Sequence, residues 1–124
     1  MSLTVYHYPG CSTCKKALRW LTENGLNADV LDIREAPPSA TLLAEVHTAS
    51  GLPIKRFFNT SGQSYRQGGW KDRLPELSDA DACDALAADG MLIKRPILIR
   101  RTHDAIDAVQ VGFKADAWAA TLGV

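Results

Sequence analysis

The sequence predicts an α/β domain in which a βαβ unit comes first, a run of helices follows, and a ββα unit closes the chain. Three observations carry that reading. Short β-branched and aromatic runs flank a stretch of helical spacing in the first third. The middle third holds helix caps and no alternating strand pattern. Near the end, two apolar runs separated by a short polar segment precede a last amphipathic stretch. A parallel pair from the first unit and an antiparallel pair from the last would make a mixed four-stranded sheet.

Leu3 to Tyr8 reads as the first strand, and Pro9-Gly10 stops it. From Ser12 onward Ala17, Leu18 and Leu21 recur at helical spacing, with Lys15, Lys16, Arg19 and Glu23 between them; Gly25 terminates that helix. Val30-Leu31-Asp32-Ile33 is the second strand. After Pro37-Pro38, Ser39 is an N-cap for a helix whose apolar face holds Leu42, Leu43 and Val46 and which Gly51 ends. Pro53 opens a short helix through Phe57 and Phe58, and Asn59 to Gly69 reads as a loop. Ser78 caps a further helix with Leu77, Cys83, Leu86 and Ala87 on its buried stripe, closed by Asp89-Gly90.

Pro96-Ile97-Leu98-Ile99 is the third strand, starting on a proline where one is tolerated, and Ala108 to Val111 is the fourth. Thr102 to Asp107 is expected to be the turn of their hairpin, and Lys114 to Leu122 the final helix. This is the thioredoxin-type order with a helical insertion. All 124 residues are expected to form one domain, with its core over about 1–36 and 91–124 and the insertion over about 37–90.

Composition narrows the function classes. Fourteen basic residues balance fourteen acidic ones, so no broad nucleic-acid surface is expected. No apolar run reaches the length of a membrane span. Met-Ser-Leu-Thr-Val-Tyr has no basic and long apolar leader pattern, so a reducing cytoplasm is the expected compartment. Three cysteines, two of them in a CxxC, argue against a structural disulfide framework.

Cys11-Ser12-Thr13-Cys14 stands where the first strand hands over to the first helix. A helix N-terminus presents unpaired N–H groups and the positive end of the dipole, which favour a thiolate over a thiol. Cys14 lies one turn deeper on the same face, placed to attack a mixed disulfide formed on Cys11. Cys11 is therefore the expected nucleophile and Cys14 the resolving thiol. A CxxC is also half of a zinc site, but Cys83, His7, His47 and His103 supply no second close pair, so no metal is expected. Cys83, on the apolar stripe of its helix, reads as a buried structural thiol.

His7, four residues before Cys11, is either a supporting cation for the thiolate or a satisfied strand histidine. His47 and His103 read as surface positions, and Trp20, Trp70 and Trp118 as core or half-exposed aromatics. Lys94-Arg95-Pro96 is the second segment of interest, because a planar guanidinium at Arg95 suits an oxyanion.

Tyr6-His7-Tyr8-Pro9-Gly10-Cys11-Ser12-Thr13-Cys14-Lys15-Lys16-Ala17 resembles the active-site segment of the arsenate reductase (ArsC)/Spx family. Glu35-Ala36-Pro37-Pro38, Arg56 to Gly62, Leu92-Ile93-Lys94-Arg95-Pro96-Ile97 and Val111-Gly112-Phe113 are similar to its later landmarks, in the same order. The resemblance implies a thioredoxin-like fold with a helical insertion, a cis bond at Pro96, and anion binding by Arg95 with Ser12 and Thr13.

For the reductase branch the resemblance implies attack of Cys11 on arsenate, with glutathione and glutaredoxin or thioredoxin completing the reduction and no bound cofactor. Three arginines clamp the oxyanion in that branch. Only Arg95 matches; Asn59 and Gly112 stand at the other two places, with Arg56 and Arg66 near the first and Lys114 after the second. A lost charge-assisted contact costs on the order of 1.5–3 kcal/mol, which counts against efficient arsenate reduction. Cys14 and Val111-Gly112-Phe113 are similar instead to the Spx-like branch, which implies a redox-switched regulator binding the C-terminal domain of the RNA polymerase α subunit. The leading expectation is an arsenate-reductase-like thiol–disulfide oxidoreductase.

Overall fold

The computed structural model describes residues 1–124. Strands β1 (Ser2–His7), β2 (Asp29–Asp32), β3 (Ile97–Thr102) and β4 (Ala105–Val111) form one sheet in the order β2-β1-β3-β4. β1 and β2 are parallel, joined by helix α1 (Ser12–Glu23); β3 runs antiparallel to both β1 and β4. Between β2 and β3 lie α2 (Ala40–Ser50), α3 (Gln63–Gln67), α4 (Trp70–Arg73) and α5 (Asp79–Ala88), with 3₁₀ turns at Ile54–Phe57, Leu74–Glu76 and Gly90–Leu92. α6 (Ala115–Leu122) closes the chain.

The pleat sorts the central strands onto two faces. Leu3, Val5 and Leu98 point to one side and pack with Ala17 and Leu21 of α1 and Trp118 of α6. Tyr6, Ile97 and Ile99 point to the other and pack with Leu43, Val46, Cys83 and Leu86 of the insertion. Both faces are covered, so Leu3, Val5 and Leu98 are buried on one side and Tyr6, Ile97 and Ile99 on the other. Trp118 is wholly buried, and its indole N–H donates to the Gly112 carbonyl at 3.0 Å.

Local signals act where the residues place them. The Ser39 hydroxyl accepts the Leu42 amide at 3.1 Å and the Ser78 hydroxyl the Asp81 amide at 3.1 Å; such caps each contribute about 1 kcal/mol. Gly51 ends α2 in the left-handed conformation at φ 67°.

Three expectations need correction. The hairpin turn is only His103-Asp104, with φ of 54° and 64°, not Thr102 to Asp107. Positive φ at both central residues matches the twist of the flanking strands. The polar residues there belong to the strands: Asp107 sits at the register shift of β4, and its carboxylate accepts from the Arg100 side chain at 2.8 Å and the Thr102 hydroxyl at 2.7 Å. The expected loop over 59–69 contains α3, a single polar helical segment whose one buried side chain, Tyr65, packs edge-on against Phe58 at 6.4 Å. One apolar anchor in five residues leaves no periodicity to read. His47 is half-buried, its ring edge against Phe57 at 5.9 Å, rather than a free surface residue.

The insertion touches the sheet most closely at Gly90, where a β-carbon would collide with the Ile33 carbonyl. Gly25 sits at φ 67° with open space around it. Gly25→Ala should therefore cost about 1–2 kcal/mol, the left-handed penalty alone. Gly90→Ala should cost clearly more, because backbone must move. Urea midpoints of the two variants against wild type check this ordering, and equal shifts would contradict it.

Candidate active site

The site is built at the turn between β1 and α1. Pro9 cannot extend the ladder, and the Cys11 amide closes the turn on the Tyr8 carbonyl at 3.0 Å. Gly10 leaves room for the Tyr8 ring: a β-carbon there would lie 2.7 Å from its Cε2, so any larger residue would push the ring aside. Cys11 is the N-cap residue of α1, in an extended conformation (φ −88°, ψ 116°). Its Sγ accepts the Cys14 amide at 3.2 Å, so the thiol occupies the place a serine or aspartate oxygen usually takes. The hydrogen-bond partner of that sulfur is this amide and not the His7 imidazole; His7 is half-buried on β1.

The two thiols are in different environments. Both are free; Cys11 is half-exposed, whereas Cys14 is 0% exposed. Burial pushes the Cys14 thiol up to about 12, helped by its hydrogen bond to Cys11 and by the Cys11 charge. Backbone hydrogen bonding at Tyr8 and the positive charge of Arg95 pull the other way. Cys83 is also buried, in the core between sheet and insertion, and its thiol is raised by desolvation and by Asp79 and Asp84. It belongs to the packing there.

Arg95 is brought beside this turn by the segment that enters β3, and its bond to the buried Pro96 is cis. One guanidinium nitrogen donates to the carbonyls of Met91 at 3.1 Å and Ile93 at 3.2 Å. The guanidinium also lies 5.3 Å from the Tyr8 ring centroid, and that of Arg34 lies 4.8 Å from the same centroid. Arg34 is paired in turn with Asp32 at 3.3 Å. Next to the CxxC opens a cavity of about 390 Å³ lined by Thr13, Arg95 and the Gly112 segment. Arg56, Lys94 and Lys114 also line it, and no aspartate or glutamate does.

Among the expected site residues, the structure thus brings together Cys11, Cys14, Thr13, Arg95 and Pro96. Ser12 is exposed on the first turn of α1 and does not line the cavity. Asn59 does not line the cavity, and its backbone N–H donates to the Leu92 carbonyl at 2.7 Å; Arg66 donates to the Ser61 carbonyl at 2.7 Å. Of the two arginines near the Asn59 place, Arg56 is the one that reaches the cavity. Tyr8, Lys94 and Lys114 appear in the sequence reading only as members or neighbours of the marked segments, not as site residues. No cluster of three or more histidine, cysteine or acidic side chains is close enough to hold a metal ion.

A four-stranded mixed sheet with a CxxC at the N-terminus of its first helix defines a thioredoxin-like thiol protein with a helical insertion. The chain belongs to the ArsC family, whose model matches residues 6–121. It is 47% identical over 116 residues to the uncharacterized protein YusI of Bacillus subtilis (strain 168), covering 94% of each chain. It is 29% identical over 99 residues to an arsenate reductase of Rhizobium meliloti (strain 1021), covering 80% of this chain and 69% of that one. Among solved structures, a possible arsenate reductase from Streptococcus mutans UA159 superposes with a TM-score of 0.83 at 48% identity, over 91% of this chain and 92% of that one. These relatives place the chain among arsenate-reductase-like thiol oxidoreductases. No helix is long and apolar enough to cross a membrane.

The raised Cys14 thiol makes a pH prediction. The unfolded chain loses this proton near pH 9, the folded chain only near pH 12, so the unfolded state binds fewer protons in between. The contribution is fully present below about pH 9 and is lost as pH rises toward 12. Urea midpoints from pH 8 to 11 should fall for wild type and fall less steeply for Cys14→Ala; parallel curves would contradict this.

Proposed function

We propose that the protein is a thiol–disulfide reductase in which Cys11 is the nucleophile and Cys14 the resolving thiol. The observation that carries this reading is the N-cap geometry: a half-exposed Cys11 sulfur holding the Cys14 amide, with the Cys14 thiol fully buried one turn deeper. The Cys11 thiolate attacks one sulfur of a disulfide; that S–S bond breaks and the far half leaves as a thiolate. Cys11 is then capped and carries no charge, so the repulsion that helped raise Cys14 disappears while Arg95 still favours its anion. Cys14 loses its proton, attacks the Cys11 sulfur, and releases the second half as a thiolate. The protein is left oxidised by two electrons as a Cys11–Cys14 disulfide. Glutathione, or a dithiol protein of the glutaredoxin or thioredoxin kind, returns them.

Arsenate is a poorer fit in this reading, because Arg95 is the only clamp arginine and Gly112, at φ 79°, has no side chain to offer. The test uses the small neutral disulfide 2-hydroxyethyl disulfide and intact-mass spectrometry. Wild type should end as the intramolecular disulfide, Cys14→Ser as a stable mixed disulfide on residue 11, and Cys11→Ser should stay unmodified. Adduct formation in Cys11→Ser as fast as in wild type overturns the assignment. In a parallel arsenate assay with glutathione and glutaredoxin, turnover should be weak; strong turnover needing only Cys11 would favour the oxyanion chemistry. An intramolecular disulfide formed without turnover of either substrate would favour the Spx-like switch.

A further inference from the structure

The cavity beside the CxxC is strongly cationic in a chain whose charges balance overall. Arg56 comes from the 3₁₀ turn of the insertion, Lys94 and Arg95 from the entry to β3, and Lys114 from the N-cap of α6. Three separate segments therefore converge on one side with positive charge, while net charge over the chain is zero. The molecule has two salt bridges, Arg34–Asp32 and Arg100–Asp107, and neither involves these four residues. The side chains of Arg56, Lys94 and Lys114 make no hydrogen bond within the protein, and all three are exposed. Like charges gathered without counter-charges raise the positive potential of the cavity and draw an anion toward it.

Two features decide what kind of anion fits. A volume of about 390 Å³ is in the range of pockets that hold organic ligands, well beyond one tetrahedral oxyanion. The space exists in part because Gly112 is there: the nearest atom to a β-carbon at that position is Cε of Lys94, 3.8 Å away. The lysines are flexible point charges rather than the rigid forks that grip a single oxyanion, so they suit carboxylates placed some distance apart. Thr13, two residues from Cys11 on the first turn of α1, lines the same cavity, so the cavity lies beside the reactive turn.

We infer that the substrate is an organic disulfide whose retained half carries carboxylate charge, and that Arg56, Lys94 and Lys114 select it over neutral disulfides. This rests on the thiol–disulfide reading above and names its substrate class. The bond changes are those already given: the anionic half stays on Cys11 as the mixed disulfide while its carboxylate charge occupies the cavity, and leaves as a thiolate when Cys14 attacks. A thiol reductant of the class named above restores the dithiol.

The experiment compares two chromogenic disulfides by stopped flow with the reduced full chain. One is 5,5′-dithiobis(2-nitrobenzoate), each half of which bears a carboxylate; the other is the neutral 4,4′-dithiodipyridine. The anionic-to-neutral rate ratio should fall about ten-fold or more in the Arg56→Gln/Lys94→Gln/Lys114→Gln variant. In wild type the ratio should also fall as ionic strength rises from about 0.02 to about 0.5 M, where screening shortens the field. Lys94→Arg/Lys114→Arg keeps the charge and should restore the ratio; Arg66→Gln, outside the cavity, should leave it unchanged. An unchanged ratio in the triple variant, or equal losses on both probes, overturns the selectivity. A wild-type Cys11 that reacts with neither probe overturns the thiol–disulfide reading instead.

Discussion

Between the end of β1 and the Cys11 cap the chain has three residues, Tyr8, Pro9 and Gly10, in which to turn from the centre of the sheet into α1. The turn is held by the Cys11 amide on the Tyr8 carbonyl at 3.0 Å and by the Cys14 amide on the Cys11 sulfur at 3.2 Å. Everything chemical in the molecule follows from that second bond. A helix N-terminus has amides that need acceptors, and here the acceptor is a sulfur. The same bond that starts the helix therefore also fixes the position of the sulfur. The first strand is central and buried on both faces, so the turn cannot drift without disturbing the core around Val5 and Tyr6.

One residue type then serves two purposes through environment alone. Cys11 meets solvent at the cap, while Cys14, one helical turn inward, faces the core beside Ala17 and is held as a neutral thiol by desolvation. The neighbouring charges make the pair sequential. The Cys11 charge disfavours a second thiolate, and that opposition ends when Cys11 forms a bond. Cys83 shows what burial does without such a partner. Its thiol is raised too, but by desolvation and two nearby aspartates, in a layer away from the turn.

The insertion is more than a cover for the second face of the sheet. Its return to β3 passes Gly90 against the Ile33 carbonyl, and the Lys94 amide bonds the Phe57 carbonyl at 2.8 Å. That last bond ties the 3₁₀ turn carrying Arg56 to the segment carrying Arg95. The side chains of Arg56 and Lys94 on these two segments make no hydrogen bond within the protein, whereas the Arg95 guanidinium donates to the Met91 and Ile93 carbonyls. Tyr8 contributes from the opposite direction, its ring facing the guanidiniums of both Arg34 and Arg95.

The order of elements, the caps at Ser39 and Ser78, the stop at Gly51 and the placement of Cys11 at a helix start were legible in the residues. Each is set by local chemistry: a side chain that accepts a nearby amide, a backbone that only glycine adopts easily, an apolar spacing that only one period satisfies. α3 and the tight His103-Asp104 turn were not, because what holds them is Tyr65 against Phe58 and the side-chain bonds of Arg100 and Thr102 to Asp107 across the hairpin. The cationic cavity was not either. Arg56, Lys94 and Lys114 are ordinary surface residues in sequence, spread over three segments, and only the packing of those segments brings them around one space. The sequence by itself determined that Cys11 would stand at a helix N-terminus, since that depends on its immediate neighbours. What surrounds the sulfur depends on residues about 45 to 100 positions away, and the tertiary structure alone decided it, because long-range contacts leave no local pattern.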